Sequence, residues 1–157
     1  EPYTIAMVLS EIRTKFPAFD YSILGTDIST RVLQMAQAAV YTEEKVMPIS
    51  LSLKKKYLLK SKDATSKTVR IVPELRSKVE TRWLNLIKGD MQLYPVFNAI
   101  FCRNVLIYFD RPTQEQVIGK LCSKLEKGGH LFLGHSEFIS NMKLPLKQIK
   151  ATVFQKV

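Results

Sequence analysis

The spacing of apolar residues along the chain predicts strands and helices in alternation. Residues 2–15 have apolar side chains at helical spacing, which predicts an amphipathic helix. Residues 21–26 form a short apolar run typical of a strand, and residues 31–41 follow it as a second predicted helix. A later run at 96–101 suits a strand buried on both faces of a parallel sheet. The overall order predicts an α/β fold.

Between these segments the pattern changes to that of a small antiparallel sheet. Residues 49–59 predict a short helix that leads into a strand at 57–61. After a polar turn, residues 68–72 alternate as a strand with a solvated face. Residues 73–79 fit either one helical turn or a third strand, and residues 79–84 predict a strand of the main sheet.

The C-terminal third is predicted to hold one helix and three strands. Pro112 opens the helix, which places Leu121 and Leu125 on its apolar face and ends at Gly128-Gly129. A bulge or tight turn is expected near Ala151. The predicted strands are residues 130–134, 147–150 and 152–157.

Polar residues follow two of the predicted strands, at the end where open α/β sheets bind ligands. Asp27 follows the first strand, where a carboxylate can accept hydrogen bonds from a ribose diol; the alternative is that Asp27 only caps the next helix. Arg103 and Asn104 follow the strand at 96–101. The apolar segment after them would pack back over the sheet and aim Tyr108 at the same crevice.

The composition is ordinary for a globular domain: 157 residues, of which 46% are hydrophobic and 24% charged. No apolar stretch approaches the ~20 residues that a membrane span needs, so we expect a soluble, cytoplasmic protein without membrane insertion. Cys102 and Cys122 lack the paired spacing of metal ligands and are expected to be buried thiols. No metal site is predicted.

Positive charge is concentrated in one segment. The formal net charge is +10, and residues 54–88 contain eleven basic residues against three acidic ones. Such a segment would steer an anionic partner. A nucleic-acid methyltransferase or binder is therefore an alternative, but the segment has no interleaved aromatic stripe and the chain lacks an Asn-Pro-Pro-Tyr signature.

Four blocks of the sequence carry a resemblance to a known family. The blocks are Glu1–Met7, Gly25–Ser29, Ile100–Phe109 and Leu131–Glu137. In type, order and spacing they resemble the chemotaxis receptor glutamate methyltransferases, the CheR family. Four ordered blocks are a stronger signal than any one short pattern.

The resemblance implies a class I S-adenosylmethionine-dependent methyltransferase, a Rossmann-like α/β sheet with a small inserted antiparallel subdomain. It assigns residues 1–47 and 80–157 to the methyltransferase domain and residues 48–79 to the insertion, which helps to dock the receptor. Family members that grip a receptor tether have glycines in the hairpin loop, whereas residues 62–65 have none. Whether this chain binds a tether stays open.

The resemblance also implies the reaction and its residues. S-adenosylmethionine would methylate glutamate side chains of a chemoreceptor cytoplasmic helical domain, leaving S-adenosylhomocysteine; no nucleic-acid partner is expected. A glutamate with a pKa near ~4.3 is already ionised, so it needs placement rather than a general base. The predicted catalytic residues are Arg103 and Tyr108. The predicted cofactor-binding residues are Glu1, Asp27, Asn85, Leu86, Arg103 and Asn104, with Asn85 and Leu86 flanking the adenine.

The chain departs from the family pattern at its start. In the family, a strand and a glycine-rich turn precede the block that begins here at Glu1. We therefore expect a fragment that lacks the first central strand of its sheet and that is unstable or inactive unless that strand is supplied. A noncatalytic receptor-binding module with a degenerate methyltransferase fold is the alternative that stays open, and the sequence predicts no oligomeric state.

Overall fold

The computed structural model describes residues 1–63, 65–91, 94–139 and 142–157. The chain divides into two compact units, Glu1–Asn85 and Leu86–Val157. In the described ranges, no helix combines the length and the apolar character that a membrane crossing requires.

The first unit consists of helices packed on two separate sheets. The helices are α1 (Pro2–Lys15), α2 (Thr30–Ala38), α3 (Leu51–Tyr57) and α4 (Pro73–Arg76), and the strands are β1 (Ile23–Asp27), β2 (Val40–Thr42), β3 (Leu58–Lys60), β4 (Thr68–Ile71) and β5 (Val79–Trp83). Strands β1 and β5 pair in parallel, and β2, β4 and β3 form an antiparallel sheet in that order.

Helix α1 has the predicted bounds and supplies part of the core of the first unit. Pro2 stands in its first turn, where a missing N–H has no effect on the helix. Ala6 is completely buried and packs in one cluster with Ile71 and Leu75, which are both 2% exposed. Burial of a large aliphatic side chain contributes roughly 1.5 to 3 kcal/mol, so this apolar face fixes α1 in the unit.

Helix α2 ends earlier than the sequence predicts. It begins after Ser29, whose hydroxyl accepts a hydrogen bond from the Val32 N–H. It ends because Ala39 adopts a left-handed conformation, with φ of 54°. The next residues, Val40–Thr42, pair with β4. The predicted helix to about Tyr41 was therefore wrong at its end, and the antiparallel sheet begins before residue 48.

The second predicted region of the antiparallel sheet agrees with the structure. Helix α3 leads directly into β3, and β4 follows a polar turn in which the Asp63 carboxylate accepts hydrogen bonds from Thr65. Residues 73–76 form a helical turn rather than a third strand. Ala64, part of the loop compared with tether-binding relatives, lies outside the described residues.

The described part of the second unit is a mixed sheet with an α-helix. Its elements are β6 (Phe97–Cys102), a 3-10 turn (Leu106–Tyr108), α5 (Arg111–Ser123), β7 (Leu125–Leu133), β8 (Leu146–Lys150) and β9 (Val153–Lys156). The strand order is β6-β7-β9-β8, with β6 and β7 parallel and the other pairs antiparallel. The register shifts between Gln148 and Lys150, next to the predicted irregularity at Ala151.

Two predictions for this unit were wrong. Helix α5 ends at Ser123, and β7 continues through the glycines that were expected to end the helix. Gly129 is needed inside the strand because a Cβ there would lie 2.9 Å from the Asn98 carbonyl oxygen. Strand β6 is not buried on both faces: Phe101 is 41% exposed and stacks on Phe132.

The two cysteines are buried thiols that form no disulfide among the described residues, as predicted. Cys102 ends β6 and Cys122 lies on the buried face of α5. Burial raises the pKa of the Cys122 thiol, which disfavours the reactive thiolate.

Candidate functional site

The ends of β1 and β5 bring two of the predicted cofactor residues to one edge of the first unit. Parallel pairing places Asp27 opposite Trp83, the last residues of the two strands. The Leu84 N–H donates to the Asp27 carbonyl oxygen at 3.1 Å, which extends the pairing. Asn85 comes next in the chain. The carboxylate and the amide thus follow neighbouring strands at the same edge.

The Asp27 carboxylate organises the turn into α2 but does not cap that helix. Its Oδ1 accepts a hydrogen bond from the Ser29 N–H at 2.7 Å. The helix cap itself is the Ser29 hydroxyl. The alternative that Asp27 only caps the helix was therefore wrong, because Ser29 does so. Asp27 is partly exposed and the Ser29 N–H contacts only its Oδ1; the ribose role of Asp27 stays a prediction.

Glu1 stands at the start of α1. Its carbonyl oxygen accepts the Ile5 N–H, whereas its side chain makes no capping hydrogen bond. A Cβ at Gly25, in the middle of β1, would lie 4.0 Å from the Pro2 ring. The first turn of α1 therefore lies against β1. The cofactor role of Glu1 stays a prediction.

In the second unit, Arg103 and Asn104 follow β6 and are exposed. Asn104 has a φ of 59°, a left-handed conformation that asparagine tolerates better than most residues. Tyr108 lies in the 3-10 turn and is 79% exposed, while Leu106 in the same turn is 2% exposed. The buried leucine anchors a segment whose polar side chains face solvent. We refer to residues 103–109 as the Arg103–Phe109 segment.

Glu137 accepts hydrogen bonds from backbone N–H groups of this segment. The residue is buried, with 4% of its surface exposed. Oε1 accepts hydrogen bonds from the Val105 and Leu106 N–H groups, both at 2.8 Å, and Oε2 accepts the Gly134 N–H at 2.6 Å. Three backbone donors that would otherwise lack partners are thereby satisfied.

Gln114 holds the same segment from the carbonyl side. Its amide Nε2 in α5 donates to the Leu106 carbonyl oxygen at 2.9 Å and to the Phe109 carbonyl oxygen at 3.0 Å. The sequence predicted neither this role nor that of Glu137. In the sequence, Glu137 is only the last residue of the Leu131–Glu137 block, and no spacing rule links it to residues 31 or 32 positions earlier.

The predicted site residues therefore fall into two groups. Glu1, Asp27 and Asn85 belong to the first unit, and Leu86, Arg103, Asn104 and Tyr108 belong to the second. Their convergence on one cleft stays a prediction. Among the described residues, no cluster of three or more His, Cys, Asp or Glu side chains has the arrangement of a metal site.

Residues 1–155 match the family described as CheR methyltransferase, SAM binding domain. The chain belongs to this CheR family. The match extends over nearly the whole sequence, so the resemblance carried by the four blocks is confirmed. S-adenosylmethionine is the cofactor of this domain, and the mixed α/β structure with parallel strand pairs is consistent with a class I methyltransferase fold.

Curated relatives of the CheR chain are named as chemotaxis methyltransferases. Chemotaxis protein methyltransferase 2 of Pseudomonas aeruginosa is 36% identical over 98% of this chain and 55% of its own length. The chemotaxis protein methyltransferase of Klebsiella aerogenes is 37% identical over 90% of this chain and 49% of its own. The chemotaxis protein methyltransferase of Borreliella burgdorferi is 39% identical over 91% of this chain and 50% of its own length. The CheR chain thus spans about half the length of these relatives.

Proposed function

We propose that the protein transfers methyl groups from S-adenosylmethionine to glutamate side chains of chemoreceptors, and so acts in chemotaxis adaptation. The observation that supports this most strongly is the family match over residues 1–155, together with relatives named as chemotaxis methyltransferases. Glutamate as the acceptor is our inference, as is the activity of the whole protein.

The first unit would bind the adenosyl part of the cofactor. Asp27 would accept hydrogen bonds from the ribose hydroxyls, since its carboxylate is partly exposed at the carboxyl end of a parallel strand. Asn85 follows the neighbouring strand, and an amide there offers a donor and an acceptor to the adenine edge. Leu86 would pack on the ring, and Glu1 would bind near the same ligand.

The Arg103–Phe109 segment would act at the reacting end. Bound S-adenosylmethionine supplies a methyl group activated by a sulfonium. The guanidinium of Arg103 would orient the substrate carboxylate, with Tyr108 bordering it and Asn104 holding the cofactor. The methyl group would pass to a carboxylate oxygen of the substrate, and the electron pair of the carbon–sulfur bond would remain on sulfur. Because the substrate is already ionised, these residues need only orient it and exclude water.

The proposed partner is a chemoreceptor cytoplasmic helical domain rich in glutamate, and the proposed location is the cytoplasm. Part of the basic segment is already neutralised, because Lys56 pairs with Glu11 and Lys78 with Asp20. Three exposed lysines of the same segment, Lys55, Lys62 and Lys67, form no ion pair with the described residues and can attract an acidic surface.

The test is methyl transfer by the full-length protein to a purified receptor cytoplasmic domain. Glutamate methyl esters release methanol in base, whereas methylated amines do not. We expect base-labile methyl groups on the receptor, and we expect Arg103→Ala and Tyr108→Phe to lower the transfer rate or the cofactor affinity. Arg13→Ala, which changes an exposed arginine of α1, is the control.

The same experiment tests the alternatives. Cofactor binding without any transfer would favour the noncatalytic receptor-binding module. Transfer to nucleic acid rather than to receptor would contradict the proposed substrate. If both substitutions leave rate and cofactor affinity unchanged, Arg103 and Tyr108 have no part in the site.

A further inference from the structure

We propose that Glu137 is a positioning residue, which fixes the backbone of the Arg103–Phe109 segment so that Arg103, Asn104 and Tyr108 are held in the geometry that methyl transfer requires. Gln114 completes this function from the opposite side of the segment. The inference rests on the proposed function for its catalytic consequence, but the holding of the segment can be measured independently.

The backbone donors that Glu137 binds support this function. Oε1 receives two consecutive N–H groups, those of Val105 and Leu106, exactly where the chain leaves the left-handed conformation of Asn104 and enters the 3-10 turn. Oε2 receives the Gly134 N–H. One carboxylate therefore ties the segment after β6 to the end of the neighbouring parallel strand β7.

The environment of the Glu137 carboxylate supports the same function. Among the described residues, Glu137 is the one polar or charged residue that is buried, at 4% exposure. It forms no ion pair with a described lysine or arginine. A buried carboxylate normally requires strong compensation. Here the compensation comes from backbone N–H groups alone, so the side chain is used to shape the backbone.

Gln114 binds the same 3-10 turn through its carbonyl groups. Gln114 donates from one amide nitrogen to the carbonyl oxygens of Leu106 and Phe109, at the other end of the 3-10 turn. The turn is thus fixed at its N–H groups by Glu137 and at its carbonyl groups by Gln114. Leu106, at 2% exposure, fixes its apolar side.

The consequence is a rigid backbone that carries exposed functional groups. Arg103, Asn104 and Tyr108 are exposed, although backbone groups of the same segment are held by the side chains of Glu137 and Gln114. A reaction that proceeds by orientation is sensitive to small displacements, and a shift of about 1 Å can lower a rate by about 10²-fold. Support of this kind is what a precise site needs.

The first experiment compares Glu137→Gln with Glu126→Gln in the full-length protein. Both change a glutamate to an amide in or near β7, but Glu126 is exposed. An amide leaves either the Gly134 N–H or both the Val105 and Leu106 N–H groups facing an NH2 donor. We expect Glu137→Gln to lower kcat at least tenfold at a temperature where the protein is fully folded, with little change in the receptor KM, and Glu126→Gln to leave both unchanged.

Amide hydrogen exchange provides the independent readout. In Glu137→Gln, exchange should become at least tenfold faster at the N–H groups that lose their acceptor oxygen, either Gly134 or both Val105 and Leu106, while the Leu131 amide in the core of β7 stays protected. A uniform increase that includes Leu131 would overturn the proposal, because Glu137 would then be a general stability residue. Unchanged exchange at all three of Val105, Leu106 and Gly134 would also overturn it.

Gln114→Ala provides a second variant that leaves the buried carboxylate intact. Gln116→Ala, on the exposed face of the same helix, is its control. We expect Gln114→Ala to lower kcat and the Gln114→Ala/Glu137→Gln double variant to show less than the product of the two losses, since both act through one segment. Fully multiplicative losses would overturn the shared function.

These results separate the two proposals. If the wild-type protein methylates no receptor glutamate, the proposed function fails, yet local exchange and the affinity for S-adenosylhomocysteine still test the segment. If transfer occurs but Glu137→Gln retains wild-type kcat, the positioning function fails and the proposed function stands.

Discussion

Gly134 and Glu137 bind each other through two hydrogen bonds. The Gly134 N–H donates to Oε2 of Glu137 at 2.6 Å, and the Glu137 N–H donates to the Gly134 carbonyl oxygen at 3.1 Å. A Cβ at Gly134 would lie 2.8 Å from Oε2 and 3.1 Å from the Asn104 N atom. The glycine therefore leaves space for the carboxylate and for the candidate site segment.

Replacement of Gly134 is expected to destabilise the folded protein. Gly134→Ala should lower the free energy of unfolding by about 1 to 3 kcal/mol, because the added methyl group displaces the buried carboxylate or the Asn104 backbone. Urea unfolding measures the change. Gly119→Ala in α5 is the control: its Cβ would meet nothing within 4 Å, and alanine should add about 0.5 to 1 kcal/mol in a helix. Equal effects at the two positions would contradict this prediction.

Two substitutions at Asn104 separate its backbone from its side chain. Its φ of 59° is permitted for glycine without strain. Asn104→Gly should keep the fold and reduce cofactor affinity, whereas Asn104→Ala should also lower the free energy of unfolding by about 1 kcal/mol. Calorimetric titration with S-adenosylhomocysteine and thermal unfolding measure the two effects. Wild-type affinity in Asn104→Gly would remove the side chain from the cofactor site.

Asp27 can be tested in a similar way. Asp27→Asn keeps an oxygen that can accept the Ser29 N–H, so unfolding should change little. Loss of charge-assisted hydrogen bonds to the ribose should weaken cofactor binding about 10- to 100-fold, equivalent to roughly 1.5 to 3 kcal/mol. Asp27→Ala removes both interactions and should reduce affinity and stability together. Unchanged affinity in both variants would leave Asp27 with a structural function only.

The Glu11–Lys56 pair predicts how stability depends on pH. Hydrogen bonds from Lys56, at 2.7 Å, and from Tyr57 lower the pKa of the Glu11 carboxyl. The stabilisation is therefore present above the unfolded carboxyl pKa and is lost as pH falls through the lower folded pKa. The hydrogen bond to Glu11 raises the pKa of Lys56, so its contribution is lost as pH rises through that higher folded pKa.

Unfolding measured across the acid range tests this pair. Glu11→Gln should flatten the dependence of the free energy of unfolding on pH as the pH falls below the unfolded carboxyl pKa. Glu44→Gln, which changes an exposed glutamate, is the control. An unchanged pH profile in Glu11→Gln would show that the pair contributes nothing measurable.

Receptor association should depend on salt and on the position of charge. Lys55→Glu, Lys62→Glu and Lys67→Glu together should weaken association and reduce its salt dependence. The control triple variant has the same change in net charge on exposed lysines of the second unit: Lys127→Glu, Lys147→Glu and Lys150→Glu. Association rates at low and high salt distinguish them. Equal effects of the two triple variants would indicate a net-charge effect rather than a docking surface.

Local sequence determined the elements whose stabilising contacts are close in the chain. Helix α1 and the Ser29 cap of α2 were predictable because spacing and capping act within one or two turns. The positions of Asp27 and Arg103 after strands were also predictable, because each follows a short apolar run in the sequence. Periodicity could not predict the early end of α2, because Val40–Thr42 is held by pairing with β4, almost thirty residues later.

Only the tertiary structure decided how the candidate site is held. Glu137 meets Val105 and Leu106 because parallel pairing of β6 and β7 brings the ends of two strands together. Gln114 meets the same turn because α5 packs beside it. A glutamate or glutamine in sequence carries no mark of such a partner, since its hydrogen bonds depend on burial and on backbone groups that only folding brings within reach.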